Sequence, residues 1–222
     1  MTAVQRLRVS FSRGEAAKYV SHLDLARLWE RALRRARLPV AYSAGFTPHA
    51  RLAFAAPLAV GITASAELVD VYLSELVPPA RALAALAEQL PPGLAIGDVA
   101  EVDLVEPALQ AGVRAADYVL TFAEDLPELA AVVANILASE EVPVERRREG
   151  KVVKIFDLRP FVLALAVLPA EGPARLAARL RLDTAGGARP DELLAALGLP
   201  EKPVRVHRAG LVLAKAREEF GP

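Results

Sequence analysis

Alternation of polar and apolar residues marks the strands of this chain. Over residues 5–12, Leu7, Val9 and Phe11 share one side of the segment and polar residues share the other. Strict alternation of this kind is typical of a half-buried β-strand. Further strands are predicted in the first half of the chain at residues 40–43, 51–55, 67–74 and 94–102, and in the second half at residues 118–122, 144–148, 152–156, 176–182 and 204–213.

Helical spacing of apolar residues predicts the segments that join these strands. The predicted helices cover residues 22–36, 80–90, 127–138 and 189–197. Ser21 is the expected N-cap of the first helix, with Asp24 at the third position in a variant of the capping box. Pro39 lies beyond its end, and Pro78 and Pro79 precede the second helix. Proline is favoured at such boundaries because it fits the first helical turn and cannot continue a helix.

The order of these elements predicts the fold. Strands and helices follow the order βαββαβ twice, and each set is about the length of a small domain. We therefore expect an α+β protein built from two ferredoxin-like modules, residues 1–107 and 116–222, with a linker near residues 106–115.

Composition narrows the chemistry that the polypeptide can perform alone. The chain has 222 residues, is 54% hydrophobic and contains no cysteine. A core of useful size is therefore expected, whereas disulfides, cysteine-ligated clusters and thiol catalysis within this polypeptide are excluded. No signal peptide is evident, and the longest charge-free run is 15 residues, too short for a membrane span. A cytoplasmic location is expected.

Charge is segregated along the chain although the net charge is zero. Residues 1–55 contain ten Lys or Arg and three Asp or Glu, while residues 56–107 contain one and eight. This asymmetry favours a basic surface suited to phosphates or to an acidic partner. The alternative is two oppositely charged surfaces that partly pair with each other.

An arginine stripe follows one side of the first predicted helix. Arg27, Arg31 and Arg34 or Arg35 recur at helical spacing after Asp24, opposite the apolar positions. Arginine forks suit phosphate oxygens, and such a row is able to follow a nucleic-acid backbone. The alternative is a solvated face whose last arginines favour the C-terminal end of the helix dipole.

Aromatic residues accompany these cations in the following turn. Tyr42 and Phe46 flank Gly45, and aromatic rings beside cations are typical of surfaces that stack single-stranded RNA bases and contact phosphates. Phe46 could instead tuck under the turn as part of the core. Lys18, Tyr19 and Arg51 lie at the borders of this segment and complete the candidate RNA-binding set, together with the arginines and the two histidines.

Two of the three histidines, His22 and His49, belong to the same segment. If the turn lies near the start of the helix, the two imidazoles could share acid–base work. Structural histidines that bond to backbone groups are the alternative. Their spacing matches no standard zinc motif, and no nucleotide-binding loop or nucleophile elbow is present, so no metal and no cofactor are predicted.

Several short motifs resemble a known family. They are Tyr19-Val20-Ser21-His22-Leu23-Asp24, Arg31-Ala32-Leu33-Arg34-Arg35-Ala36, Tyr42-Ser43-Ala44-Gly45-Phe46-Thr47-Pro48-His49, Pro57-Leu58 with Gly61, and Asp157-Leu158-Arg159-Pro160. Together they resemble the "radical SAM-linked protein" domain, which is fused to or encoded beside radical S-adenosylmethionine (SAM) enzymes. The resemblance implies a radical SAM enzyme as partner. The family's genomic neighbourhood of ribosomal-protein and ribonuclease genes implies tRNA or rRNA as substrate. The expected fold is also similar to that of the RAMP proteins that bind and process CRISPR RNA.

Three functions compete on these grounds. The leading hypothesis is an RNA-binding accessory protein that presents tRNA or rRNA to the radical SAM enzyme for modification. The second is a metal-independent ribonuclease in which His22 and His49 act as base and acid. The third is a protein scaffold whose basic face docks on an acidic surface of the enzyme.

Overall fold

The computed structural model describes residues 2–148, 151–169, 172–183 and 186–214. The chain divides into two compact units, Met1–Val113 and Arg114–Pro222. Both units combine helices with an antiparallel sheet, which confirms the predicted α+β class. Within the described stretches, no helix has the length and apolar character that crossing a membrane requires.

The first unit is an antiparallel sheet with helices between its strands. Its elements are β1 (Gln5–Arg13), α1 (His22–Arg35), β2 (Leu52–Phe54), β3 (Thr63–Leu73), α2 (Pro79–Ala87), β4 (Leu94–Val102) and α3 (Leu109–Gly112). The strands lie in the order β2-β3-β1-β4, and each paired strand runs antiparallel to its neighbour. The first strand thus lies between the third and the fourth, which is the ferredoxin-like arrangement expected from the element order.

Side-chain alternation places one face of this sheet in the core. Leu7, Val9 and Phe11 of β1 are buried and join Trp29 of α1 in one hydrophobic cluster. The Phe11 and Trp29 rings meet edge to face, with 5.1 Å between centroids. The helix is therefore fixed on the sheet by its apolar side, which leaves its polar side to the solvent.

The ends of α1 agree with the sequence prediction. Ser21 is the N-cap, and its Oγ accepts a hydrogen bond from the Asp24 backbone N–H at 3.2 Å. The helix ends at Arg35, and Arg37 has a left-handed conformation with φ of 54°. A residue of this kind just beyond a helix is a common way to stop it.

The predicted strand at residues 40–43 is wrong. Residues 40–43 contain only two isolated bridges, Val40 to Leu73 and Tyr42 to Ala50. The reason is a three-way exchange of backbone hydrogen bonds. The Ala41 N–H donates to the Tyr72 carbonyl, the Tyr72 N–H to the Arg51 carbonyl, and the Arg51 N–H to the Ala41 carbonyl. The segment around Ala41 and the segment around Arg51 share the same edge of β3, so neither forms a long ladder with it. For this reason β2 has only three residues.

The second unit repeats the arrangement with an added hairpin. Its elements are β5 (Val113–Thr121), α4 (Leu129–Ala138), β6 (Pro143–Arg148), β7 (Lys151–Asp157), β8 (Val162–Leu168), β9 (Arg175–Asp183), β10 (Gly186–Gly187), α5 (Pro190–Leu197) and β11 (Arg205–Leu213). The main strands lie in the order β8-β9-β5-β11, and β10 pairs with the end of β9. The ferredoxin-like order is therefore found in both units.

The strand prediction for the second unit needs two corrections. The predicted strands at 144–148 and 152–156 exist as β6 and β7, but they form a separate two-stranded sheet. The strand that joins the main sheet is β8, which the sequence analysis missed. Its sequence, VLALAVL, is continuously apolar and lacks the alternation that identifies a half-buried strand. In addition, the segment expected to be a linker contains α3 and the start of β5.

Candidate nucleic-acid interface of the first unit

Three arginines form an exposed ridge along α1. Arg27, Arg31 and Arg34 are all exposed, and they lie three or four residues apart, so they project from the same side of the helix. The buried residues of the helix, Leu25, Trp29, Ala32 and Leu33, lie on the opposite side. The helix therefore presents a row of cations to the solvent, and this row is called the arginine ridge below.

Little of the ridge's charge is neutralised within the protein. Arg27 Nη1 lies 3.4 Å from Asp24 Oδ1, and about 60% of each side chain is exposed. An ion pair this exposed contributes at most about 1 kcal/mol. The side chains of Arg31 and Arg34 make no ion pair or hydrogen bond with any residue that the structure describes. Two full cations and one loosely paired cation are thus available to an external anion.

Arg35 does not belong to this ridge. Its Nη2 donates a hydrogen bond at 2.5 Å to the carbonyl of Gln89, which follows α2. The side chain therefore leans toward the end of α2. Of the two alternatives for the end of the predicted stripe, Arg34 or Arg35, the row on α1 therefore ends with Arg34. Helical spacing alone could not decide between them, because it cannot reveal a tertiary backbone acceptor.

An exposed tyrosine lies just before α1. Tyr19 is 72% exposed, and Lys18 Nζ lies 5.2 Å from the centroid of its ring. The same ammonium is 2.7 Å from Glu15 Oε2, and the hydrogen bond from Lys18 to Glu15 raises the pKa of Lys18. The lysine therefore remains charged beside the aromatic ring, an arrangement of the cation–π type.

A buried arginine holds the loop that carries this tyrosine. Arg13 is 1% exposed, and its guanidinium donates to the carbonyls of Ala17 at 3.0 Å and Lys18 at 2.8 Å, and also to that of Val20. The sequence analysis missed this residue. The signal was available, since Arg13 continues the buried alternation of Leu7, Val9 and Phe11 and therefore points into the core side of β1.

The turn after α1 exposes its aromatic residue. Ser43 and His49 close the turn, since the Ser43 N–H donates to the His49 carbonyl at 2.9 Å and the His49 N–H to Ser43 Oγ at 3.0 Å. Phe46 at the tip is fully exposed, with a relative exposure of 110%, so the alternative that it plugs the core is wrong. Tyr42 is instead half-buried and packs against the core cluster, which leaves only part of its ring accessible.

The two histidines have different neighbours. The His22 ring packs edge to face on Phe54, with centroids 5.2 Å apart, while His49 Nδ1 lies 3.9 Å from Glu30 Oε1. His22 and Glu30 are eight residues apart on α1, so about 12 Å of helix separates the two neighbourhoods. Among the described residues, no group of three or more His, Cys, Asp or Glu side chains is placed to hold a metal ion.

Arg51 lies just before β2, and a buried charge network lies on β1 and β3. The Arg51 guanidinium lies 4.6 Å from the centroid of Tyr72, although Arg51 itself is exposed. On the same strand as Tyr72, Asp70 is fully buried and accepts hydrogen bonds from Arg6 and Arg8. The bond to Asp70 raises the pKa of Arg8. This network is structural, because both carboxylate oxygens are occupied by the two guanidinium groups.

Comparison with known proteins identifies the family. Residues 6–190 match the model of a family described as "Uncharacterized protein conserved in bacteria (DUF2344)". The chain belongs to this family. The match covers the whole candidate interface and most of the second unit, so DUF2344 membership describes both halves of the protein. Among curated proteins, none matches the sequence.

Two solved structures show a distant likeness to this DUF2344 protein. A chain in the "Crystal Structure of a Cbf5-Nop10-Gar1 Complex" is 12% identical with a TM-score of 0.48, over 93% of this chain and 48% of that chain. This chain thus spans about half the length of that one. An unknown protein from Galdieria sulphuraria is 17% identical with a TM-score of 0.28, over 87% and 90% of the two chains. At these scores the likeness supports no conclusion about activity.

Proposed function

We propose that this protein binds RNA through the first unit and presents it to a radical SAM enzyme that modifies tRNA or rRNA. The observation that carries the RNA-binding part is the arginine ridge, in which Arg31 and Arg34 have no partner among the described residues. Exposed cations at helical spacing match the phosphate contacts that dominate RNA affinity. Tyr19 before α1 and Phe46 in the turn after it are exposed aromatic rings, and such rings stack on unpaired bases.

The partner part of the proposal is supported by sequence motifs. The segments around His22 and His49 resemble the domain that accompanies radical SAM enzymes, and this chain has no cysteine with which to hold an iron–sulfur cluster. The enzyme would therefore supply the cluster and the chemistry, while this protein would supply binding surface. Co-purification of the two proteins from nuclease-treated lysate tests direct docking. Loss of the enzyme on nuclease treatment would indicate instead that RNA bridges them.

The geometry favours a binding module over a ribonuclease. A base and an acid that share one phosphodiester must both reach hydrogen-bonding distance of it. His22 packs on Phe54 and His49 lies near Glu30, about 12 Å further along α1 by helical rise. Incubation of tRNA with the purified protein in chelator is expected to leave the RNA uncut. Fragments with 2′,3′-cyclic phosphate ends that disappear in His22→Ala would contradict the proposal.

RNA binding itself is tested by anisotropy with labelled tRNA. The double variant Arg31→Glu, Arg34→Glu is expected to weaken binding by on the order of 10- to 100-fold, since each arginine–phosphate pair contributes about 1 kcal/mol. Arg81→Glu is the matched control, because Arg81 is an exposed arginine on α2 of the same unit. Equal affinity of all three proteins would refute the assignment of the ridge.

A further inference from the structure

We propose that Tyr19 is a fixed stacking platform that makes the protein select unpaired nucleotides over duplex RNA. This inference rests on the proposed RNA-binding function and specifies the class of RNA. Its basis is a large exposed ring on a loop whose backbone carbonyls are hydrogen-bonded to a buried side chain.

The support begins with the buried guanidinium of Arg13. It donates to the carbonyls of Ala17, Lys18 and Val20, which lie on both sides of Tyr19 in sequence. A guanidinium has five N–H donors and no acceptor, so it suits a cluster of inward-facing carbonyls. Since the carbonyls turn inward to Arg13, the backbone of the Tyr19 loop is fixed before any ligand binds.

The ring itself is also positioned. The Gly61 N–H donates to the Lys18 carbonyl at 2.8 Å, which brings the neighbouring loop under Tyr19. A Cβ added at Gly61 would lie 4.0 Å from Tyr19 Cε1, in ordinary van der Waals contact, so the ring lies over the glycine. Lys18 Nζ lies 5.2 Å from the ring centroid. One part of the ring therefore faces protein, while 72% of the residue stays accessible.

These features match what an unpaired base requires. A base stacks on an aromatic ring through its π face, which in a duplex is covered by neighbouring base pairs. A cation beside the ring can contact the phosphate of the same nucleotide. Because the backbone is already ordered, little conformational entropy is lost when a base stacks. A duplex could reach the arginine ridge, but it could not offer a free base face to Tyr19.

The test measures the affinity of the intact protein for three probes whose labelled strands have the same number of phosphates. The probes are a 12-nucleotide single strand of mixed sequence, the same strand in a duplex, and an abasic ribose-phosphate strand. The single strand is expected to bind at least 5-fold more tightly than either of the others, since stacking of one base contributes about 1–3 kcal/mol. Tyr19→Ala should remove that preference and leave duplex binding unchanged, whereas Tyr19→Trp should retain it.

Leu23→Ala is the matched control, because Leu23 is an exposed apolar residue of the adjacent helix turn, at 60% exposure. Thermal melts confirm that each variant is folded. If the single strand, the duplex and the abasic strand bind equally and Tyr19→Ala changes nothing while the ridge variants lose affinity, the stacking platform is refuted and the RNA-binding function stands. If the wild-type protein binds none of the probes, the proposed function itself fails.

Discussion

Arg6 Nε donates a hydrogen bond to Asp70 Oδ2 at 2.7 Å, and both side chains are almost completely buried. Arg8 binds the other oxygen of the same carboxylate at 2.8 Å. Arg6 also donates to the carbonyls of Glu106 and Pro107, so the segment after β4 is fixed to the sheet through this network. Asp70 thus provides the counter-charge that the two guanidinium groups share.

The Asp70→Asn variant is expected to lose about 3–5 kcal/mol in the free energy of unfolding of the first unit, because a buried cation would lose its counter-charge. Urea denaturation followed by the fluorescence of Trp29 measures this directly. Trp29 is the chain's single tryptophan and lies in the core of that unit. Arg27→Gln is the control, since its exposed ion pair contributes less than about 1 kcal/mol. Equal midpoints for the two variants would contradict a stabilising role for Asp70.

Replacement of Arg13 should release the Tyr19 loop. Arg13→Met would remove the guanidinium bonds to the carbonyls of Ala17, Lys18 and Val20. The Ala17 and Lys18 carbonyls would still accept from the Val20 and Gly61 N–H groups, so the cost of an unsatisfied group, about 1–3 kcal/mol, falls on the Val20 carbonyl. Limited trypsin digestion should therefore cleave after Lys18 about 10-fold faster than in the wild-type protein, because cleavage depends on local opening.

The control for this digestion is Arg81→Met, which removes an exposed arginine of α2 and should leave cleavage after Lys18 unchanged. An unaltered digestion rate in Arg13→Met would mean that the loop is held by other interactions. The proposed preorganisation of Tyr19 would then lose its structural basis.

Glu192 makes the second unit sensitive to acid. Burial raises the pKa of Glu192, but hydrogen bonds from Arg146 and Arg189 outweigh burial and hold the pKa below its usual 4.5. The folded state therefore releases this proton more readily than the unfolded state. The stability that the group contributes is present above pH 4.5 and is lost as the pH falls through the lowered pKa.

The Glu192→Gln variant should thus be less stable than the wild-type protein at pH 7, and the difference should shrink near pH 3. Thermal unfolding followed by calorimetry across this range checks the prediction. Glu140→Gln, at an exposed position before β6, is the control and should follow the wild-type curve. If the difference in stability between Glu192→Gln and the wild-type protein were the same at all pH values, the charge of the Glu192 carboxylate would not contribute to stability.

The sequence predicts those features that depend on local pattern. The capped start of α1, the strands β1 and β4, and the exposed arginines of the ridge all follow from spacing along one element. The features that it misses depend on tertiary partners. Asp70 meets Arg6 and Arg8 only through the register of β1 and β3, and Arg35 leaves the ridge because the Gln89 carbonyl lies near it.

A strand without alternation is also hidden from pattern analysis. β8 is continuously apolar, so alternation cannot identify it. The strand prediction for β6 was correct, but the sequence could not specify that β6 pairs with β7 in a separate sheet. The exposure of Phe46 is a further feature that the sequence could not predict. An aromatic residue beside a glycine in a turn is equally compatible with the core or the solvent, and only the backbone path of the turn exposes it.

The salt dependence of RNA binding tests the central claim most directly. The dissociation constant of the wild-type protein for a single-stranded RNA is measured over a range of salt concentrations and compared with that of the Arg31→Glu, Arg34→Glu variant. If the arginine ridge binds phosphates, the slope of log affinity against log salt should decrease by about 1.4 in magnitude, or about 0.7 for each phosphate that is no longer neutralised. An unchanged slope, with affinity equal to that of wild type, would show that the ridge does not bind RNA.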